Sequence, residues 1–140
     1  MSGRSMSEIV RRQNPEAMRP GVTVQEACRV MRDRRIGAVA VTDEDGRVIG
    51  IFTGRDAVGR VLAEAKDASR TMLREVMTPR PETKHPGSRA IDALRLMQDG
   101  GFRHIPIVGD GKLVGIVSRG DFRGLEAARL DEETGYWEVM

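Results

Sequence analysis

The sequence predicts a mixed α+β (α/β) fold in which two tandem β-α-β-β-α repeats pack sheet against sheet with pseudo-twofold symmetry. Three observations predict it. The phrase GIFTGRD (Gly50 to Asp56) returns as GIVSRGD (Gly115 to Asp121). A shift of 66 positions aligns Val10 with Val76, Pro20 with Pro86, Gly21 with Gly87, Ala27 with Ala93, Arg29 with Arg95, Met31 with Met97 and Asp33 with Asp99. After one deleted residue a shift of 65 aligns Gly46 with Gly111, Gly50 with Gly115, Ile51 with Ile116 and Asp56 with Asp121, and pairs Thr53 with Ser118. Within each copy a helical apolar period gives way to two β-branched runs, so the repeat is one of structure as well as letters.

The elements follow in order. Each copy begins with a short extended lead-in, near MRPGV in RQNPEAMRPGV and near TKHPG in MTPRPETKHPGS. The first helix of copy one, TVQEACRVMRDRR, places Val24, Ala27, Val30 and Met31 at helical spacing, and Thr23 and Glu26 stand at capping-box distance. Its counterpart SRAIDALRLMQDG repeats the stripe with Ile91, Leu94 and Met97, with Gly100 as the expected stop. IGAVAVTD and FRHIPIVG then predict strands, DEDG and GDG turns, and RVIGIFT and KLVGIVS the returning strands. Second helices are expected from Asp56 (DAVGRVLAEAK) and Asp121 (DFRGLEAARL), with KDASRTM as the linker between copies. The expected division is residues 8–66, residues 70–129 and a C-terminal tail over 130–140. A copy of roughly 60 residues cannot cover its own sheet. Two copies sharing a core would create two equivalent clefts, each lined from both.

Composition narrows the function. The 140 residues suit one compact module that needs no metal or disulfide to fold. Aromatic content is 4%, so the core must be Val, Ile, Leu, Met and Ala, and the eight methionines mostly follow helical faces. No apolar run reaches the ~20 residues that span a bilayer, and MSGRSMSEIV lacks the apolar core of a secretory signal, so a cytoplasmic location is expected. The lone Cys28 falls in the first helix's apolar stripe and is expected to be a small core residue. His85 and His104 have no cysteine partners at ligand spacing, so no metal is expected. Net charge is +2 from 23 basic and 21 acidic residues, too balanced to argue for nucleic acid despite a pI near 9.1. No nucleophile–base pair or Walker loop marks an enzyme. Tyr136 and Trp137, in the acidic tail, are expected to anchor that tail to the body or to a partner.

The repeated Thr53-x-x-Asp56 and Ser118-x-x-Asp121 carry two readings. Each is a good N-terminal cap, with the hydroxyl serving a backbone N–H and the acid sitting at the positive helix end. Each is also a candidate ligand grip, since a helix start binds anions readily. The two roles are compatible.

Over residues 8 to 129 the sequence resembles the cystathionine-β-synthase-type (CBS) domain, twice. The resemblance rests on VMTPRPET…A…MQDGGFRHIPIVGDGKLVGIVSRGD and on NPEAMRPGVTVQEACRVMRDRRIGAVAVTDEDGRVIGIFTGRD. It implies a paired (Bateman) module that senses adenosine-containing ligands without catalysis, AMP, ADP or ATP first and NAD or S-adenosylmethionine as alternatives. It also implies association as a homodimer and regulation of an unidentified protein, with no required cofactor; the lack of an apolar span and the balanced charge argue against a membrane or nucleic-acid partner. Asp56 and Asp121 would hold the ribose hydroxyls, and Thr53 and Ser118 the ribose or phosphate. Ile36, Gly37 and Ala38, and likewise Phe102, Arg103 and His104, would hold adenine along edge strands continued by Ile105 and Pro106. Arg103, His104, Arg55 and Arg119 would reach phosphates, and Val22 and Ser88 would border the clefts. The copies differ: Gly37-Ala38 stands opposite Arg103-His104, Ala40 opposite Pro106, and Gly109 where the family often has an acid. Unequal charge in the two clefts is therefore expected. Strand alternation sets Phe102 and His104 on one face and Arg103 and Ile105 on the other. A ligand-free interaction scaffold, in which the motifs only cap helices, is the rival reading.

Overall fold

The structure, a computed structural model, describes residues 3–122. In chain order it has α1 (Met6–Val10), β1 (Ala17–Met18), α2 (Val24–Arg34), β2 (Ala38–Thr42), β3 (Val48–Thr53), and α3 (Gly54–Asp56), which widens into a π-turned segment at Ala57–Leu62. Then come α4 (Leu73–Val76), β4 (Thr78–Pro79), α5 (Ala90–Gly100), β5 (His104–Gly109), β6 (Lys112–Ser118) and a single 3₁₀ turn at Arg119–Asp121. The remainder of the second helix expected after Asp121, the tail, Tyr136 and Trp137 lie outside the described residues. Among the described residues no helix is long and apolar enough to cross a membrane.

The helical stripes are buried as their period requires: Val24, Ala27 and Met31 on α2, and Ala90, Ile91, Ala93, Leu94 and Met97 on α5. Thr23 Oγ1 caps α2 by accepting the Glu26 N–H at 3.2 Å. Cys28 is half-buried beside the first core, and burial pushes its thiol above the ordinary value. Gly100 does not stop α5; it is the last helical residue, and Gly101, at φ 72°, turns the chain out in the left-handed region. The matching residue after α2 is Arg35, which takes the same conformation (φ 57°) without glycine's freedom.

The first sheet runs β1-β2-β3-β4, with β1 parallel to β2 and the other pairs antiparallel. The second is the β5–β6 hairpin, and Lys84 bridges Ile107 in parallel. That bridge is the repeat mate of Met18 beside Val41 in β1–β2. Both hairpins shift register at the same repeat position, between Val41 and Thr42 and between Ile107 and Val108. The strands expected at sheet edges are therefore inner: β2 lies between β1 and β3, and β5 between β6 and the Lys84 bridge. The lead-ins of the two copies supply the outer neighbours.

Two cores form, and each borrows a helix from the other copy. Leu73 and Val76, on the helix that opens copy two, lie in the first core with Val24, Val39, Phe52 and Val61. Met6 and Val10, at the start of the chain, lie in the second core with Leu94, Met97, Ile105 and Ile107. The glycines of the repeated phrase make room for this exchange. A side chain at Gly50 would collide with Met77, and one at Gly115 with Val10. Gln13 completes the link: its Oε1 accepts the Ile116 N–H of β6 at 2.8 Å.

The halves also touch where β2 and β5 begin. A Cβ on Gly37 would stand 3.0 Å from His104 Nε2, so the absent side chain leaves the hollow that the imidazole occupies. Burial, and then the nearby Arg103, lower the His104 pKa below its ordinary value, while Asp121 opposes them.

Two outcomes follow. Leu73→Ala should cost about 2–5 kcal/mol in denaturant unfolding, and the lost hydrogen-exchange protection should appear in β2 and β3 of the first copy; loss confined to β5 and β6 would contradict the exchange. For His104, the unfolded chain takes up its proton at a higher pH than the folded one. Stability should be unaffected by this group well above pH ~6.5 and fall as pH drops through and below that value. Thermal melts between about pH 7.5 and 5.5 should show a steeper acid loss for the native protein than for His104→Gln.

Candidate functional site

Both hydroxyl–aspartate motifs close a β-strand and open a turn, and in both the acid folds back on the strand end. The Thr53 N–H donates to Asp56 Oδ2 at 2.9 Å, the Thr53 hydroxyl donates to the same oxygen at 3.1 Å, and the Asp56 N–H donates to Thr53 Oγ1 at 3.3 Å. The Ser118 N–H donates to Asp121 Oδ2 at 2.7 Å and its hydroxyl lies 3.3 Å from that oxygen. Capping is thus real at both motifs. It uses one carboxylate oxygen in each case. The other oxygen of Asp56 meets Arg60 Nε at 3.5 Å, and Asp56 is only 8% exposed. Asp121 is half-exposed and has no such arginine among the described residues; Leu125 stands at the repeat position of Arg60.

Two clefts sit between the copies, and each takes the motif of one copy and the strand start of the other. The Asp56 cleft, of roughly 590 Å³, sets Thr53, Arg55 and Asp56 of copy one against Phe102, Arg103 and His104 of copy two. Its remaining wall is Ile51, Arg60, and the lead-in Thr78 to Glu82 without Pro79. The Asp121 cleft, of roughly 390 Å³, sets Ser118 and Asp121 of copy two against Ile36, Gly37 and Ala38 of copy one. The lead-in Gln13 to Glu16, with Ile116, Arg34 and Arg35, completes it. Gly37 and His104 line both clefts, so their contact is the wall between them. Phe102, Arg103 and His104 all reach one cleft because β5 begins only at His104; the two residues before it are outside the pleat, and strand alternation does not sort them.

The structure places five sequence candidates elsewhere. Val22 packs against the first core, Ile105 and Pro106 are buried inside the second sheet, and Ser88 uses its backbone carbonyl to accept the Met6 N–H. Arg119 lies beside the Asp121 cleft without lining it, and its backbone N–H donates to Arg103 O at 2.8 Å. Conversely, the lead-in residues escaped the sequence reading. Asn14-Pro15-Glu16 and Arg80-Pro81-Glu82 are repeat mates that line opposite clefts. The repeated Pro-Glu was the available signal.

The clefts differ in charge. The Asp56 cleft presents Arg55, Arg60, Arg80 and Arg103 against Asp56 and Glu82. The Asp121 cleft presents Arg34 and Arg35 against Glu16 and Asp121, and Arg34 is tied to Glu16 at 3.1 Å and to the Asn14 carbonyl at 2.6 Å. An apolar residue, a carboxylate at a helix start and backbone at a strand start suit a nucleoside: a base to stack, a diol to hold, edge groups to pair. Among the described residues no cluster of three His, Cys, Asp or Glu could hold a metal ion.

Comparison with known proteins agrees with this architecture. The sequence profile of the CBS domain matches residues 6–63 and 73–127. A CBS domain-containing protein of Arabidopsis thaliana is 40% identical over 97 residues, which is 69% of this chain but 18% of that protein, so the chain spans about a fifth of such relatives. The crystal structure of a CBS-domain containing protein from Agrobacterium tumefaciens is 32% identical, with a TM-score of 0.78, over 90% of this chain and 99% of that one. A CBS domain protein from Pyrobaculum aerophilum, solved in complex with AMP, shares the fold at a TM-score of 0.83 over 92% of this chain and 99% of that one, with 22% identity. The chain belongs to the CBS-domain family and carries the domain as a tandem pair.

Proposed function

We propose that the chain is a regulatory module that binds an adenosine-containing ligand in the clefts between its two repeats. AMP, ADP and ATP are the ligands that fit first; NAD and S-adenosylmethionine share the adenosine end. The observation that carries this reading is that each cleft is assembled from both copies, with the acid of one facing the strand start of the other. A ligand held there favours one mutual arrangement of the copies by its differential contacts, and a partner can read that arrangement. Adenine would lie between Ile116 and the Ile36–Ala38 segment in the Asp121 cleft, and between Ile51 and the Phe102–His104 segment in the Asp56 cleft. The ribose diol would donate to Asp121 and to Asp56. CBS domain pairs are typically regulatory rather than catalytic.

A homodimer acting in the cytoplasm on an unidentified partner completes the proposal. The dimer rests on the family resemblance and on Val58 and Leu62, which are 61% and 71% exposed one helical turn apart. The rival reading, a ligand-free scaffold, draws on the satisfied caps at Thr53 and Ser118.

Calorimetric titration with AMP, ATP, NAD and S-adenosylmethionine separates the two. Binding by at least one below millimolar concentration is expected; none would leave the scaffold reading. Asp121→Asn keeps an oxygen for the Ser118 N–H while removing the charge. It should weaken binding in that cleft by about 1–3 kcal/mol with little change in melting temperature. A large fall in melting temperature with unchanged affinity would assign Asp121 to capping only.

A further inference from the structure

The two clefts come from one repeated sequence, so each position in one has a mate in the other. The acids are kept: Glu82 answers Glu16, and Asp56 answers Asp121. The arginines of the Asp56 cleft are not. Arg80 answers Asn14, Arg103 answers Gly37, Arg55 answers Gly120 and Arg60 answers Leu125. Four arginines thus line one cleft, and the mated positions in the sequence hold an amide, two glycines and a leucine. The more cationic cleft is also the roomier, roughly 590 against 390 Å³.

The four differ in availability. Arg55 Nη1 donates to the Gly101 carbonyl at 3.1 Å, across the cleft. Arg60 is committed to the Val76 and Met77 carbonyls and to Asp56. These two brace the walls. The side chains of Arg80 and Arg103 donate to no protein group among the described residues, and both are exposed at the rim. Arg80 is held there by its backbone, which takes the left-handed region (φ 46°) while its N–H donates to Ile49 O at 3.0 Å. A long charged side chain in that conformation is uncommon, where Asn would sit more easily.

We propose that the two clefts are sorted by charge: the Asp56 cleft takes the di- or triphosphate end of a nucleotide between Arg80 and Arg103, and the Asp121 cleft takes an adenosine compound without net negative charge. The assignment rests on the reading of the clefts as adenosine sites. Two free guanidinium forks match the oxygens of successive phosphates in a way that one fork cannot. Asp56 is already paired with Arg60, and Glu82 alone does not balance Arg55, Arg80 and Arg103. In the Asp121 cleft Arg34 is spent on Glu16 and Asn14, which leaves Arg35 and Asp121, of opposite charge, as the other ionic groups among the described lining residues.

The test is calorimetry on the full chain at constant ionic strength, without divalent cations, using adenosine, ATP and inorganic tripolyphosphate. ATP should bind the Asp56 cleft at least about tenfold more tightly than adenosine, lose affinity in Asp56→Asn rather than Asp121→Asn, and be displaced by tripolyphosphate. Arg80→Asn installs the mate residue in a conformation Asn tolerates, and Arg103→Gln removes the other charge. Each should cut the ATP-to-adenosine preference about tenfold and weaken tripolyphosphate equally, and Arg80→Asn should leave adenosine affinity unchanged. The proposal is overturned if both variants leave that preference intact, or if ATP follows Asp121. Adenosine binding with no gain for ATP would sink the charge assignment and spare the adenosine reading. Arg80-dependent tripolyphosphate binding without adenosine binding would do the reverse.

Discussion

Everything in this molecule depends on the exchange of short helices between its two copies. α4 fills the first core with Leu73 and Val76, and α1 fills the second with Met6 and Val10. A sheet of three or four short strands cannot cover both of its faces from about 60 residues, and an uncovered apolar face weakens a domain in proportion to its area. Lending a helix to the neighbour solves this for both copies at once. It also ties them, because neither core is complete until the other copy is in place.

The clefts follow from that tie. Each helix leads into an extended segment that runs along the other copy's sheet, through Gln13 bonded to Ile116 and through β4 paired with β3. The lead-in of one copy therefore forms one wall, the strand end and its aspartate a second, and the next strand start a third. The aspartates occupy a position where structure and binding ask for the same group. A carboxylate at N3 satisfies the strand-end N–H with one oxygen and leaves the other for a second partner, which at Asp56 is Arg60. Stability and recognition are not separable at such a residue without a substitution that keeps the cap.

Symmetry holds for the frame and breaks in the filling. Register, bulge position and the parallel lead-in are common to both copies. Side chains at the cleft positions diverge, most sharply at Gly37 and Arg103 and at Asn14 and Arg80. The Gly37–His104 contact is one product of that divergence. Glycine on one side admits an imidazole from the other, and the dividing wall between the clefts is a titratable group whose pKa burial pushes down.

By itself the sequence determined the repeat, the helical stripes of α2 and α5, the paired strands and the two hydroxyl–aspartate motifs. These depend on local periodicity and on spacing, which a chain carries before it folds. It also showed that the copies differ at Gly37-Ala38 and Arg103-His104. Only the tertiary structure decided which copy each short helix serves, that β2 and β5 are inner strands, and that Arg80, Glu16 and Glu82 face the clefts while Val22 and Ser88 do not. Those outcomes depend on contacts between segments far apart in the chain, where burial and register are shared properties of two partners. Leu73 is read in sequence as the opening of copy two. Its place in the core of copy one was set by the sheet that needed covering.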